Sequence, residues 1–250
     1  MKRLIEICCC SVDDALTAAK NGADRIELNT SIECGGLTPS IGMLETVKAH
    51  VSIPVIAMIR PRTSGFHYTA LEFESMKQDA KQLLAHGADG IAVGILNEDS
   101  TFDLERMKEM VNIAKGQGRE IVCHRAFDVS ADLTVSAQQM INLGVTRILT
   151  SGGCARCLND GLEQINQLHH RFGNQIEWLA CGSIRPNNLA EIFSQTDVRQ
   201  FHMAPMMTVL DQSMRGKIIR FNGTPEESSY RTIDPEMVQR AVQIAEREIM

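Results

Sequence analysis

The sequence has few aromatic residues and no excess of basic residues. Aromatic side chains make up 4% of the 250 residues, and 25 Lys and Arg stand against 31 Asp and Glu, which gives a formal net charge of −6. Binding to nucleic acids or to anionic membranes depends on a positively charged surface. We therefore predict that neither a nucleic acid nor a membrane is a partner.

Long apolar runs and a dense cysteine pattern are also missing. The clearest internal apolar run covers 53–59, whereas a membrane-spanning helix needs about 18 residues or more. Glu6 interrupts the apolar start of the chain, so we expect no signal peptide. Eight cysteines are too few for a disulfide scaffold of this length, and we expect a cytoplasmic protein with reduced thiols.

A short pattern recurs along the chain and indicates the fold. Residues 21–28 read NGADRIEL, residues 86–93 read HGADGIAV, and residues 143–150 read LGVTRILT. The glycine of each copy suits the end of a helix, because glycine adopts left-handed backbone at little cost. The apolar run that follows is typical of a buried parallel strand. Each copy therefore predicts a junction between a helix and the next strand.

Strands and helices are predicted to alternate over most of the chain. The strands begin near residues 4, 24, 54, 89, 120, 146, 176 and 198. The helical patterns between them cover 12–21, 40–49, 71–85, 103–115, 133–142, 160–171 and 187–194. This order predicts a single-domain α/β protein over residues 1–250 with the (β/α)8 fold of a TIM barrel. An open, doubly wound sheet is the alternative.

The C-terminal part follows a different pattern. Residues 205–233 show no clear period, and we predict a long loop or an arm that contacts another subunit of a homo-oligomer. Asp234 and Pro235 then predict the start of a C-terminal helix, 235–249, which closes the domain.

Polar residues near the carboxyl ends of the predicted strands are candidates for a catalytic site, because TIM barrels carry their active sites there. Either Glu6 or Glu27 is expected to act with His124 as acid and base, Arg60 keeps a neighbouring carboxylate ionised, and His124 can supply a proton near neutral pH. The alternative is a buried polar layer whose members satisfy one another inside the barrel.

Other residues at these strand ends favour binding of a small anion. Arg60 and Arg62 flank Pro61, and an arginine fork fits a carboxylate or a phosphate. Gly152-Gly153 and Gly182-Ser183 follow strands 6 and 7, where barrels often bind phosphate, although glycine also serves in any tight turn. The predicted substrate-binding residues are Arg62, Arg125, Asp128, Ser151, Gly182 and His202.

Cysteines near the same strand ends suggest a metal site. Thiolates suit Cu(I) or zinc, and we predict Cys8, Cys10 and Cys34 as metal ligands. The alternative is that these cysteines are ordinary small buried side chains. Because two arginines at the mouth of the barrel disfavour a cation there, the metal is expected to one side of the barrel axis.

Several segments, in order, resemble the CutC copper homeostasis family. They are Leu4-Ile5-Glu6-Ile7-Cys8, GADRIEL at 22–28, GGLTPS at 35–40, IRPR at 59–62, HRAFD at 124–128, ILTSG at 148–152, and Ile184-Arg185 with Asn188. The resemblance implies a (β/α)8 barrel, a cytoplasmic protein and a role in copper handling. The chain departs from the family pattern at Asn29, where cysteine is common.

Three functions remain open on this basis. The first is a copper homeostasis protein that binds copper ion, as Cu(I), through cysteines. The second is a TIM-barrel enzyme that acts on a small anionic metabolite carrying a phosphate or a carboxylate, with Arg60 and Arg62 orienting the anion. The third is an oligomeric scaffold in which residues 205–233 form the contact arm.

Overall fold

The computed structural model describes residues 3–219 and 228–247. Eight parallel strands form a closed barrel in which each strand pairs with the next and the eighth pairs with the first. The strands are β1 (Leu4–Cys9), β2 (Arg25–Leu28), β3 (Val55–Met58), β4 (Gly90–Val93), β5 (Glu120–Cys123), β6 (Arg147–Thr150), β7 (Glu177–Ala180) and β8 (Gln200–Met203). The predicted TIM barrel is confirmed, and each strand starts within two residues of its predicted position.

Helices cover the outside of the barrel. They are α1 (Val12–Lys20), α2 (Ile41–His50), α3 (Ala70–Ala85), α4 (Leu104–Lys115), α5 (Leu133–Leu143), α6 (Leu162–Phe172), α7 (Pro186–Ser194) and α8 (Pro235–Arg247). Side-chain caps fix where several of them begin. Thr69 and Glu72 form a capping box at the start of α3, and Asp132 accepts two backbone N–H groups at the start of α5.

Alternation along the strands separates two apolar clusters. In β3, Val55 and Ala57 belong to the large cluster between barrel and helices, whereas Ile56 and Met58 belong to a small cluster inside the barrel. The small cluster is apolar and draws on the middle strands of the barrel; its members are Ile56, Met58, Ala92, Val122, Leu149, Leu179 and Cys181. The side of the interior lined by β1, β2 and β8 carries polar side chains instead.

The segment after β8 contains more regular structure than a loop. β9 (Met206–Leu210) and β10 (Ser229–Ile233) pair as antiparallel strands. Asp14 of α1 fastens this ribbon, because its Oδ1 accepts from Thr232 Oγ1 at 2.7 Å and from Ile233 N at 2.8 Å. Residues 220–227 of the predicted loop and 248–249 of the predicted last helix lie outside the described residues. Contact of this segment with a second subunit stays a prediction.

Within the described part of the chain, no helix has both the length and the apolar character needed to span a membrane.

A pair of glycines offers a test of the loop after β6. Gly152 and Gly118 have similar left-handed φ angles of 72° and 66°, but a Cβ on Gly152 would overlap the Gly161 carbonyl oxygen, whereas one on Gly118 meets no atom within 4 Å. We expect Gly118→Ala to cost about 1 kcal/mol of unfolding free energy and Gly152→Ala about 2 kcal/mol more, measured by urea denaturation. Equal costs would show that the loop accommodates the methyl group.

Candidate active site at the carboxyl ends of the strands

A cavity of about 400 Å³ lies at the carboxyl ends of the barrel strands. Seven of the predicted site residues line it: Cys8, Glu27, Arg60, His124, Arg125, Gly182 and His202. Its apolar wall includes Met58 and Leu149 from the small interior cluster, together with Phe66. The structure therefore brings together residues that the sequence scatters over nearly two hundred positions.

Glu6 lies deeper than the cavity lining and joins three strands. It stands opposite Arg25 of β2 and His202 of β8 in the strand register. One carboxylate oxygen accepts from Arg25 Nε, and the other lies 2.7 Å from His202 Nδ1. Burial alone would raise the pKa of Glu6, but Arg25 and His202 outweigh burial and lower this pKa to about 2. Glu6 is thus an ionised group that orients His202, and its role as an acid or base stays a prediction.

Glu27 faces the other nitrogen of the same imidazole. Its Oε2 lies 3.9 Å from His202 Nε2 and accepts from Asn29 Nδ2 at 2.9 Å. Burial raises the pKa of Glu27. Burial also opposes the charge on His202, but the carboxylates of Glu27 and Glu6 prevail and raise the pKa of His202. Both raised pKa values favour a proton on Glu27 or on His202, and both side chains line the cavity.

Cys8 completes a cluster of three possible metal ligands. One ligand atom each from Cys8, Glu27 and His202 lies within 4.8 Å of the others. Asn29 Nδ2 also lies 3.3 Å from Cys8 Sγ. The hydrogen bond with Cys10 and burial raise the pKa of the Cys8 thiol well above its usual range. A metal ion that binds Cys8 must therefore displace its proton.

The other two predicted cysteine ligands lie outside this cluster. Cys10 is half-buried and contacts Cys8, so it stays a proposed ligand. Cys34 is exposed in a short 3-10 turn that follows β2, and it does not line the cavity. Its carbonyl oxygen instead accepts from Arg60 Nη1 at 2.9 Å. The sequence spacing could not reveal this, because the loop after β2 turns the Cys34 side chain to solvent.

The two predicted anion-binding arginines have different surroundings. Arg60 lines the cavity, and Arg62 does not. Arg62 Nε donates to Glu72 Oε1 at 2.5 Å, and Arg62 Nη2 donates to the carbonyl of His67 at 2.6 Å. Because Glu72 neutralises Arg62 away from the cavity, the structure does not bring Arg62 to a ligand in that cavity.

Arg125, Asp128 and Ser151 form one hydrogen-bonded group beside the cavity. Arg125 donates to Asp128 at 2.8 Å and to Ser151 Oγ at 2.8 Å. Asp128 also accepts from Thr150 Oγ1 at 2.5 Å and from the backbone N–H of Ser151 at 2.9 Å. Of the three, only Arg125 lines the cavity. Asp128 and Ser151 therefore shape the loop after β6, and a direct contact with substrate stays a prediction for both.

His124 is a buried neutral imidazole. Its Nδ1 accepts from the backbone N–H of Ala126 at 3.1 Å, so Nε2 carries the proton. Burial and the positive charge of Arg60 lower the pKa of His124 to about 3. The sequence-based expectation of a proton donor that titrates near neutral pH does not match these surroundings.

Several residues that line the cavity were not predicted as site residues, and Arg185 and Asn29 are two of them. Arg185 lines it from the loop before α7, and Asn29 lines it between Cys8 and Glu27. A signal for Arg185 was present, because Ile184-Arg185 with Asn188 is one of the segments that resemble the CutC family. Asn188 caps the backbone N–H of Arg185 at 2.8 Å.

The fold and the cavity define a TIM-barrel protein with cysteine, carboxylate and imidazole groups at the carboxyl ends of its strands. A sequence model described as the CutC family matches residues 3–207. The chain belongs to the CutC family.

Individual relatives agree with this family. A CutC family protein of Treponema denticola is 42% identical over 202 residues, which are 81% of each chain. The copper homeostasis protein cutC homolog of Homo sapiens is 38% identical over 205 residues, 82% of this chain and 74% of the human one. A crystal structure of CutC from Streptococcus agalactiae is 30% identical, has a TM-score of 0.75, and covers 80% of this chain and 97% of that one.

The buried neutral His124 predicts a specific dependence of stability on pH. A histidine whose pKa is lowered on folding supports the folded state above about pH 6.5, and this support declines as pH falls toward 3 because only the unfolded chain takes up the proton. His124→Asn keeps an acceptor for the Ala126 N–H but does not titrate. We expect the variant to lose less unfolding free energy between pH 7 and pH 5 than the wild type, by at most about 1 kcal/mol per pH unit.

Urea denaturation at several pH values measures this difference. Parallel curves for the two proteins would contradict a buried neutral His124. Gln138→Asn, on the exposed side of α5, is a control that should follow the wild type at every pH.

Proposed function

We propose that the protein acts in copper homeostasis by binding Cu(I) at Cys8 and His202, with Glu27 beside the ion. The observation that carries this proposal is the cluster of Cys8, Glu27 and His202 ligand atoms at the cavity of a CutC family member. The copper role comes from the name of the human relative, and the ligands come from the geometry of this chain.

The surroundings of His202 support a metal ligand. Its Nδ1 lies 2.7 Å from Glu6 Oε1, and its Nε2 faces Glu27, 3.9 Å from Oε2. Histidine ligands of metals commonly donate their other ring N–H to a carboxylate, which fixes the tautomer and the ring orientation. Arg25 in turn holds Glu6. This chain of contacts leaves Nε2 as the nitrogen available to an ion.

The donor set also suits a soft, singly charged ion. The Cys8 thiolate is a preferred ligand of Cu(I), and imidazole binds copper readily. The carboxylate of Glu27 adds a negative charge next to the ion, and Cys10 contacts Cys8 as a further proposed ligand. Because both Cys8 and His202 must give up a proton, binding of the ion releases protons.

A Cu(I) titration under anaerobic conditions tests the proposal. Reduced protein competes for Cu(I) with a chromophoric chelator, and we expect about one tightly bound ion per chain. Cys8→Ser and His202→Asn each remove a direct ligand and should weaken binding by at least about tenfold. Glu6→Gln should weaken it less than His202→Asn, because Glu6 acts only through the orientation of the imidazole.

Cys34→Ser is the matched control. It removes a thiol from the same end of the barrel but outside the cavity lining, so it should bind Cu(I) as the wild type does. Wild-type affinity in both Cys8→Ser and His202→Asn would show that the cluster is not the copper site. Folding of each variant is checked by its thermal unfolding curve.

A further inference from the structure

Arg60 is a buried cation that has no carboxylate partner among the described residues. Its side chain lines the cavity, and the residue is only 7% exposed. Its terminal nitrogens donate to the backbone carbonyls of Cys34, Gly36 and Ser64 at 2.8–3.0 Å. Within the described residues no carboxylate forms an ion pair with Arg60, and its Nε has no hydrogen-bond partner. A buried charge in this state is costly unless a ligand of opposite charge binds beside it.

His124 supplies an unused donor to the same cavity. It is 2% exposed, and its Nε2, which carries the proton, has no hydrogen-bond partner in the described part of the chain. Phe66 contacts both side chains: its ring centroid lies 4.9 Å from that of His124 and 5.4 Å from Arg60 Cζ. One aromatic ring therefore packs against both the unpartnered donor and the unpaired cation.

The loop after β7 adds a second cation and a strained stretch of backbone. Arg185 lines the cavity and, among the described residues, forms no ion pair with a carboxylate; its Nη1 donates to the carbonyl of Ile184. Gly182 and Ser183, which also line the cavity, have consecutive left-handed φ angles of 99° and 58°. A left-handed serine is uncommon, and such strain is concentrated at functional sites.

We propose that this cavity binds the carboxylate or phosphate group of a small metabolite through Arg60, His124 and Arg185. Two arginines that form no ion pair within the described part of the chain, together with one neutral imidazole donor, match the charge and the acceptor atoms of such an oxyanion. A cavity of about 400 Å³ with Met58, Leu149 and Phe66 in its wall leaves room for a short carbon skeleton beside the anion. This anion site uses none of the three proposed copper-cluster residues.

Titration calorimetry on protein freed of metal by a chelator tests the anion site. The probes are inorganic phosphate and malonate, each at constant ionic strength against chloride. We expect saturable binding of one or both, weakened by at least about tenfold in Arg185→Gln and in His124→Asn. The stronger of the two probes assigns the phosphate or the carboxylate class. Arg60→Gln should abolish binding, but Arg60 also anchors two loops through their backbone carbonyls. If the Arg60→Gln protein fails to fold, Arg185→Gln and His124→Asn still test the proposal.

Arg62→Gln is the matched control, because it changes an arginine two positions from Arg60 whose charge is already paired with Glu72 outside the cavity. It should bind both probes as the wild type does. If neither probe binds saturably, or if Arg62→Gln loses binding as much as Arg185→Gln and His124→Asn do, the anion site is overturned. The probes are titrated into metal-free protein and Cu(I) binding is measured separately, so failure of the copper proposal and failure of the anion site give different results.

Discussion

The buried contacts of Glu6 hold the barrel together at the point where it closes. Glu6 lies on β1 between Arg25 of β2 and His202 of β8, and it accepts from one and contacts the other. A carboxylate this deep is tolerated only because both of its oxygens have charged or polar partners. Arg25 also donates to Gln200 of β8 at 2.8 Å. Two polar contacts thus link β8 to β1 and β2 where the barrel closes. The need to satisfy Glu6 therefore fixes the imidazole of His202 as well.

Most of the fold was readable from the sequence because its signals are local. Buried parallel strands need continuous apolar runs, and those of β2, β4 and β6 follow a left-handed glycine at the end of a helix. The ribbon of β9 and β10 was missed for the opposite reason. Its strands pair across a long separation, and its position depends on Asp14, which contacts Thr232 from the other end of the chain. Neither relation leaves a periodic pattern in 205–233.

The sequence indicated which residue types gather at the strand ends, but not which side chains contact one another there. Alternation along a strand fixes the face that each side chain takes, and Cys8 and Glu27, both predicted site residues, line the cavity. Alternation could not separate Arg60 from Arg62, which have the same parity along the chain. The surroundings of the two arginines differ because Glu72, ten residues beyond Arg62, belongs to the capping box of α3 and neutralises Arg62. Such partners come from loop geometry and tertiary packing, which spacing alone does not encode.

The two proposed ligands of this cavity carry opposite charges, and that relation constrains both. Arg60 opposes a cation in the cavity, and an oxyanion at the proposed anion site would offset that repulsion. Cu(I) at the proposed copper site, however, replaces the protons of Cys8 and His202. Where both groups carry their protons, one positive charge enters as two leave, so copper lowers the net charge of the cluster and disfavours the anion. Where His202 is already neutral, one ion replaces one proton and the net charge of the cluster does not change. Linkage makes the coupling reciprocal, so each ligand changes the affinity for the other by the same factor, and the size of that change depends on pH.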